Sequence, residues 1–305
     1  MEKFLTIIIP CYNSAESLSV LLESVGDYND TEIIVIDDKS TEYLDFYKKI
    51  KSVYKGRVRF FFNDGNVKSA GAVRNIGLGN ATGKWLLFAD SDDYFLQGWH
   101  QNVSKYFDSD SDIIFFPPVS INSKTKGKGK RGRGYLAACN SFKCGKKKGE
   151  RDLRYMFGAP WSKMIRRELV EKHDIRFEEI QHYNDIMFSA KIGYFARMIS
   201  VGEDSIYCAT ERKGSLTTVK SESALWIRAN AWCRKYNFLL EHGEKINSLY
   251  PLHSVFEVLR SGYGLSTAKK FCNLYKRNHM PVFNMKILIL CFVRFQTIIH
   301  DFFNS

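Results

Sequence analysis

The sequence predicts an α/β protein, in which a doubly wound, mostly parallel sheet is followed by a mainly helical C-terminal extension. Two observations support this fold. Between residues 4 and 116, short β-branched runs alternate with amphipathic segments, which is the pattern of parallel strands joined by right-handed helical crossovers. After residue 222 the apolar spacing is mainly helical. A chain of 305 residues is long enough for one large α/β domain with an extension.

The predicted elements follow one another in a regular order up to residue 116 and less regularly after it. In the first part we expect a strand at 4–9 ended by Pro10, a helix capped by Ser14, a strand at 32–36, a helix that turns Leu44, Tyr47, Ile50 and Val53 inward, a strand at 57–62, a helix at 70–80 and a strand that runs up to Asp90. In the second part we expect a helix at 99–107, a strand at 112–116, a mobile loop at 123–134, and helices at 163–172 and 185–194.

An apolar strand ends in three carboxylates within four positions, Asp90, Asp92 and Asp93. Ligands of open α/β sheets bind beyond the carboxyl ends of the strands, and carboxylate oxygens suit Mg²⁺ or Mn²⁺. The other interpretation is a polar loop with a helix cap. A glycine-rich phosphate loop is missing after the first strand, and Gly77 and Gly79 fall where a helix is expected to stop. A diphosphate would therefore be held by metal and basic side chains.

The positive charge of the chain is concentrated in one segment. The net charge is +12, but residues 124–148 hold ten Lys or Arg and no acid, so the rest of the chain carries only +2. This distribution argues against a broadly basic, nucleic-acid-binding fold. The basic loop, expected at 123–148, is either a solvated loop or a contact for anionic phospholipid or for a lipid-diphosphate acceptor.

Cysteine usage and hydropathy bear on the compartment. Seven scattered cysteines favour a reduced, cytoplasmic setting, and Cys139 and Cys144 lack the partners of a zinc site. The N-terminus does not resemble a signal peptide, and no apolar run is long enough to span a membrane. Residues 282–303 have the pattern of an interfacial amphipathic helix, which would give peripheral contact at the inner face of the cell membrane; the alternative is a helix packed on the catalytic domain.

Four motifs occur in order: TIIIPCYN at 6–13, IVIDDKST at 34–41, AVRNIGL at 72–78 and FADSDD at 88–93. Together they resemble the family-two glycosyltransferases of GT-A fold, of the bacterial polysaccharide, O-antigen or capsule type. PWSKM at 160–164 and the segment 176–185 are similar to the acceptor half of that family. The resemblance implies a nucleotide-sugar-binding half at 1–120, an acceptor-binding half at 121–215 and a helical extension at 216–305.

The resemblance also implies roles for single residues. Asp185 would be the catalytic base, Asp92 and Asp90 the metal ligands, and Asp38 with Pro10 the frame of a uracil or other base. The full nucleotide-sugar set is Pro10, Tyr12, Asp38, Lys68, Arg74, Asp90 and Ser91, and the acceptor set is Trp161, Asp93 and Asn184. Asn184 stands where the family usually has Glu, and Lys39 where Gly is common.

These roles describe an inverting transfer. A carboxylate-held cation stabilises the departing nucleotide diphosphate, while a second carboxylate takes the proton of the acceptor hydroxyl. The implied donor is a UDP-sugar and the implied acceptor a saccharide or lipid-linked hydroxyl in cell-surface polysaccharide synthesis. A sugar-phosphate nucleotidyltransferase and a non-enzymatic nucleic-acid binder that uses the basic loop are the alternatives.

Overall fold

A computed structural model describes residues 3–212, 221–244 and 250–282 of the chain. These residues belong to two compact units, one within 1–216 and the other within 217–305. In chain order the elements of the first unit are β1 (Leu5–Cys11), α1 (Ala15–Val25), β2 (Thr31–Asp37), α2 (Leu44–Val53), β3 (Val58–Phe62), α3 (Ala70–Asn80), β4 (Trp85–Phe88), β5 (Tyr94–Phe95), α4 (Trp99–Ser104), β6 (Ile113–Phe115), β7 (Val119–Asn122), α5 (Arg133–Lys143), α6 (Lys147–Tyr155), β8 (Lys163–Arg166), α7 (Arg167–Lys172), α8 (Asp185–Phe195), β9 (Ile199–Val201) and β10 (Tyr207–Glu211). The second unit contains α9 (Glu222–Glu241), α10 (Tyr250–Arg260) and α11 (Gly264–Arg277).

The first unit is built on a seven-stranded sheet with the order β3-β2-β1-β4-β8-β6-β9. Strands β1 to β4 run parallel, β8 runs antiparallel to both of its neighbours, and β6 and β9 are parallel. Only β8 is therefore reversed. Every residue of β2 and β4 is buried, as expected for parallel strands covered on both faces. The predicted doubly wound, mostly parallel sheet is confirmed.

Helix α3 packs unusually close to this sheet because of a glycine. A Cβ added at Gly77 would lie 2.4 Å from Cγ2 of Ile8, a distance that real side chains do not reach. Gly77 and Gly79 lie in the last turn of the helix, which ends at Asn80 as predicted. The close approach brings the start of α3 to the carboxyl end of the sheet, where the site lies.

A second, three-stranded sheet with the order β5-β10-β7 was not predicted. β10 pairs antiparallel with β5 and parallel with β7. Strand β5 follows the acidic cluster directly, and β10 carries Tyr207. The small sheet therefore joins the carboxylate loop to the basic segment that follows β7.

Several local predictions were wrong for physical reasons. Residues 163–166 are a strand instead of the start of a helix, because Met164 and Ile165 are fully buried between β4 and β6. The basic loop expected at 123–148 contains helix α5 and the start of α6. Pro10 lies within β1 and does not end it. Leu44 and Val53 of α2 are exposed, whereas Tyr47 and Ile50 face inward as predicted.

The second unit has its own small core, confirming a helical C-terminal region. Leu225, Ala229, Val258, Phe271 and Tyr275 are fully buried among the three helices that the described residues of this unit form. No helix in the described ranges combines the length and apolarity that crossing a bilayer requires. The amphipathic segment predicted at 282–303 lies, apart from its first residue, outside the described residues and stays a prediction.

Candidate active site

The acidic cluster lies at the carboxyl end of β4, in the loop before β5. One oxygen from each of Asp90, Asp92 and Asp93 lies within 4.8 Å of the others. Asp90 and Asp92 keep some exposed surface, at 22% and 18% of their side chains, whereas the Asp93 side chain has none. Two of the three carboxylates can therefore meet a ligand from solution.

Arg74 connects this cluster to the second half of the unit. Its Nη2 donates to Oδ1 of Asp90 at 2.8 Å, and its Nη1 donates to Oδ1 of Asn184 at 3.0 Å. The guanidinium is buried, and its Nε has no hydrogen-bond partner in the described part of the chain. Because Asn184 immediately precedes Asp185, one arginine spans the predicted metal ligands and the predicted base.

Asp185 begins helix α8 beside Arg74. Among the described residues, no other residue forms a hydrogen bond or ion pair with the Asp185 carboxylate. This carboxylate lies close to Gly158, because a Cβ added to that glycine would be 3.6 Å from Oδ1 of Asp185. Burial raises the pKa of Asp185, and the nearby charge of Arg74 opposes that rise. An unpaired carboxylate of this kind can accept a proton from a substrate hydroxyl.

The segment that delivers Asp185 is positioned by helix α3. A Cβ on Gly71 would come within 2.1 Å of the carbonyl oxygen of Glu178, so only glycine permits this contact. One turn later, Asn75 accepts from the N–H of Phe177 at 2.9 Å and donates to the carbonyl of Phe177 at 3.0 Å. The AVRN motif thus carries both the arginine and the docking point for residues 177–184.

Both oxygens of the Asp93 carboxylate accept hydrogen bonds from within the protein. Its Oδ2 accepts from the hydroxyl of Tyr207 at 2.8 Å and its Oδ1 accepts from the N–H of Thr210 at 2.7 Å. Burial, with a further contribution from Asp90, raises the pKa of Asp93 to about 8. Tyr207 also accepts from the N–H of Asp90 at 2.8 Å. This geometry favours a role for Asp93 in orienting Tyr207 and the loop, rather than direct contact with an acceptor.

Arg131 is a site residue that sequence reasoning missed. Its Nη2 donates to Oδ2 of Asp90 at 3.2 Å, and its Nη1 lies 3.6 Å from Oδ1 of Asp93. The carboxylate of Glu211 in β10 accepts from the backbone N–H of Arg131, which fixes the position of the residue. In the sequence, Arg131 is one of ten positively charged residues in a predicted loop, and no motif distinguishes it from the other nine.

A second arginine, Arg212, reaches the cluster from the end of β10. Its Nη2 lies 2.9 Å from Oδ2 of Asp92, and its side chain is about half exposed. Burial raises the pKa of Asp92, with Asp90 adding to the rise and the two arginines opposing it. Sequence reasoning missed Arg212 as well.

The nucleotide-binding residues predicted near β1 and β2 lie in one place. Lys68 Nζ lies 3.6 Å from the ring centroid of Tyr12, whose side chain is 47% exposed. Asp38 is buried, accepts from Nδ2 of Asn63 at 2.7 Å, and has a pKa raised by burial. An exposed aromatic face with a cation above it, beside a carboxylate, suits a planar base and a phosphate.

The loop between β2 and α2 is ordered by its own side chains. Asp37 accepts from the backbone N–H of Ser40 at 3.1 Å, and Asn13 accepts from the N–H of Thr41 at 2.8 Å. Lys39 has φ 60°, a left-handed conformation that glycine adopts without strain. The sequence departs from the family at this position, yet the backbone conformation that glycine favours is present.

Three other predicted site residues are buried and bonded within the protein. Ser91 shares a 2.8 Å hydrogen bond with the hydroxyl of Ser14, which therefore does not cap α1 through its side chain. Trp161 is 4% exposed and stacks on Tyr207 at 5.8 Å between ring centroids. Asn184 holds Arg74, as described above. These environments favour positioning roles, instead of the predicted contact with the donor for Ser91 and with an acceptor sugar for Trp161 and Asn184.

Lys163, in the PWSKM motif, is a buried cation beside the site. It is 1% exposed, and its ammonium group makes one long hydrogen bond, 3.4 Å to the carbonyl of Phe157. Burial lowers its pKa to about 8, and the carboxylate of Asp185 opposes the fall. Lys163 is therefore an electrostatic neighbour of the predicted base.

The profile described as "Glycosyl transferase family 2" matches residues 6–174, more than half of the chain. This chain belongs to glycosyltransferase family 2. It is 31% identical over 224 residues to the poly(ribitol-phosphate) β-N-acetylglucosaminyltransferase TarS of Staphylococcus aureus, a match that covers 70% of this chain and 36% of TarS. The chain thus spans little more than a third of that relative. The family assignment is the one predicted from the four motifs.

A second relative, and a solved structure of part of TarS, match this chain over more of their own length. The putative glycosyltransferase EpsH of Bacillus subtilis is 24% identical over 269 residues, which is 82% of this chain and 74% of EpsH. The crystal structure of residues 1–349 of S. aureus TarS in complex with UDP-GlcNAc aligns with a TM-score of 0.65 and 21% identity, covering 90% of this chain and 80% of that one. This likeness shows the fold, and the predicted GT-A fold is confirmed.

Proposed function

We propose that this protein is an inverting glycosyltransferase, which moves a sugar from a nucleotide-diphosphate sugar to a hydroxyl group of an acceptor. The observation that carries the proposal is the double contact of Arg74. Its guanidinium bonds to Asp90 at 2.8 Å and to Asn184, the neighbour of Asp185, at 3.0 Å. Arg74 thereby links the proposed leaving-group site to the segment that carries the proposed base.

The donor is proposed to be a UDP-sugar. We assign Asp38 to the ring N–H of uracil, and Tyr12 with Lys68 to a stacking face and a charge for the diphosphate, because the cation lies over the exposed Tyr12 ring and acts on the Asp38 carboxylate. The TarS structure in complex with UDP-GlcNAc supports this choice by analogy of fold. Arg74, Arg131 and Arg212 supply further positive charge around the position of the phosphates.

The residues fit a divalent cation. Asp92 and Asp90 offer hard, partly exposed oxygens, so we assign them as the ligands of Mg²⁺ or Mn²⁺. When bound, such an ion would neutralise charge on the departing diphosphate. Because Arg131 and Arg212 already pair with these carboxylates, their guanidinium groups can turn to the phosphates once the carboxylates are otherwise engaged.

Asp185 supplies the base. As the acceptor oxygen forms its bond to the anomeric carbon, the bond from that carbon to the diphosphate oxygen breaks, and the hydroxyl proton passes to the Asp185 carboxylate. The electron pair leaves with the nucleotide diphosphate. A single displacement of this kind inverts the anomeric centre. The absence of any partner residue for the Asp185 carboxylate within the described residues supports this role.

The acceptor is proposed to be a saccharide or lipid-linked chain in cell-surface polysaccharide synthesis. Relatives named for poly(ribitol-phosphate) glycosylation and for minor teichoic acid biosynthesis support this class. The family assignment removes the basis for a nucleotidyltransferase, since that alternative rested on the sheet and carboxylate pair alone.

A screen of nucleotide sugars tests the proposal. Wild-type protein is incubated with a panel of UDP-, GDP- and dTDP-sugars in Mn²⁺ or in EDTA, and the released nucleotide is measured. We expect hydrolysis of one UDP-sugar that depends on the metal ion. Failure to bind or hydrolyse any nucleotide sugar in Mn²⁺ would contradict the proposal.

A further inference from the structure

Residues 119–131, which we call the basic hairpin, form an ordered structure. Strand β7 turns back on itself through hydrogen bonds from Asn122 N–H to Gly127 O at 2.9 Å and from Gly129 N–H to Ser120 O at 2.8 Å. The Asn122 side chain also accepts from the N–H of Lys124 at 3.0 Å. The prediction of a mobile loop at 123–134 therefore does not describe these residues.

The hairpin presents four lysines to solvent. Lys124, Lys126, Lys128 and Lys130 are all exposed. In the described part of the chain none of these ammonium groups forms an ion pair or a side-chain hydrogen bond, and the segment that contains them has no acid up to residue 148. Protein surfaces usually intersperse the two signs, because like charges repel. The arrangement points to an anionic partner.

The hairpin ends inside the active site. Backbone N–H groups of Lys130 and Arg131 both donate to one Glu211 carboxylate oxygen, at 2.6 and 2.5 Å. The Arg131 guanidinium then lies over the ring of Trp161 at 5.3 Å and bonds to Asp90. The four lysines therefore directly precede, in the sequence, the arginine that contacts the proposed metal ligand Asp90.

We propose that the basic hairpin binds the acceptor, and that the acceptor is a polymer with repeated phosphodiester groups. This inference rests on the proposed function. Lysine ammonium groups are compact charges that suit phosphate oxygens, and neutralising several phosphates releases counterions. Four lysines that lead to the site can hold flanking phosphates of a chain while one of its hydroxyls reaches Asp185.

The composition of the hairpin disfavours insertion into a membrane and stacking of unpaired bases, and leaves charge as its means of binding. Residues 123–130 read SKTKGKGK, with no apolar side chain to enter a lipid interface. They also lack the aromatic side chains on which unpaired bases stack. A flexible polyol-phosphate chain needs neither feature.

A binding experiment without donor tests the inference. Labelled, soluble poly(ribitol phosphate) is titrated with wild type and with a variant in which Lys124, Lys126, Lys128 and Lys130 are changed to Gln. The matched control changes four exposed lysines outside the hairpin to Gln, namely Lys48, Lys49, Lys55 and Lys172. UDP affinity in Mn²⁺ is measured for all three proteins as an independent reading of the proposed function.

We expect the hairpin variant to bind the polymer at least ~10-fold more weakly. The slope of log K against log salt should shrink by about 3, because each phosphate that a lysine neutralises contributes ~0.7 to that slope. The control should match wild type, and UDP affinity should be equal in all three proteins.

Equal polymer binding by the hairpin variant and wild type would overturn the inference while UDP binding still upheld the proposed function. The inference also fails if an oligonucleotide or a phosphatidylglycerol vesicle displaces the polymer at a lower phosphate concentration than unlabelled polymer does.

Discussion

The guanidinium of Arg131 lies 3.2 Å from Oδ2 of Asp90, although 41 residues separate them in the chain. Oδ1 of the same carboxylate accepts from Arg74. Asp90 is therefore charge-paired on both oxygens before any substrate binds. A diphosphate and its cation would redistribute these pairs, so that the arginines face phosphate oxygens and the carboxylate faces the cation.

Replacing Arg131 should weaken donor binding. We expect Arg131→Gln to lower UDP affinity in Mn²⁺ by about 10-fold, equivalent to about 1.4 kcal/mol, because glutamine cannot form a charge-assisted hydrogen bond to the diphosphate. Arg133→Gln removes the same charge two residues away, at an exposed position, and serves as control. Calorimetric titration of UDP measures both. Equal affinities for the two variants would remove Arg131 from the donor site.

Asp92→Asn should remove metal-dependent activity. The amide is a weaker ligand and carries no charge, so transfer should fall by ~10² or more and UDP should no longer bind more tightly in Mn²⁺ than in EDTA. Thermal unfolding should change little, since the Asp92 side chain keeps part of its surface exposed. Full transfer activity of the wild type in EDTA would exclude the metal assignment.

Gly71→Ala should impair catalysis without preventing folding. The new methyl group would meet the Glu178 carbonyl at 2.1 Å and push away the segment that carries Asn184 and Asp185. We expect kcat to fall more than UDP affinity. Gly79→Ala, in the same helix with open space around it, should leave kcat unchanged and raise stability by ~0.5–1 kcal/mol. If the two alanines behave alike in transfer assays, the contact does not position the base.

Lys163→Met should change the pH dependence of turnover. The Lys163 charge lowers the pKa of Asp185, so its removal should raise that pKa and move the acidic limb of the kcat profile to higher pH. The pKa of Lys163 is itself lowered to about 8, so the lysine loses its charge above that pH. Variant and wild type should therefore converge above pH 8. A uniform fall in kcat at all pH values would indicate a structural role alone.

Lys163 should also make the stability of the protein depend on pH. Its pKa is lower in the folded state than the ordinary value of 10.5, so between pH 8 and 10.5 the unfolded chain binds more protons at this position. The contribution of Lys163 to the free energy of unfolding should consequently rise with pH across that window. Denaturant unfolding at several pH values measures this effect. The free energy of unfolding of Lys163→Met should rise less steeply with pH than that of wild type.

The sequence predicted the first half of the fold well because its signals are local. The apolar runs that became β1, β2 and β4 are short, almost wholly buried and bounded by polar residues, so the sequence marks each of them as a buried strand. The strand at Lys163–Arg166 escaped prediction because its apolar residues satisfy helical spacing equally well, and only pairing with β4 and β6 decides between them.

The candidate site was predictable in part for the same reason. Asp90, Arg74 and Asp185 lie in motifs, and the structure brings them together. Arg131 and Arg212 reach the carboxylates only because β10 pairs with β7 and β5, a tertiary arrangement without a local signature. Burial of Trp161 and Asn184 likewise depends on contacts with residues distant in sequence.

The central claim, that Asp185 is the base of a glycosyl transfer, is tested most directly by Asp185→Asn. Asparagine preserves the size of the side chain but cannot take a proton. Transfer rate and UDP-sugar affinity are measured side by side for wild type and Asp185→Asn, with Asp92→Asn as contrast. We predict that Asp185→Asn binds donor and Mn²⁺ as tightly as wild type does, while its kcat falls by ~10² to 10⁴. Asp92→Asn should lose both the metal-dependent donor binding and the turnover. Near-normal transfer by Asp185→Asn would contradict the account and place the base elsewhere.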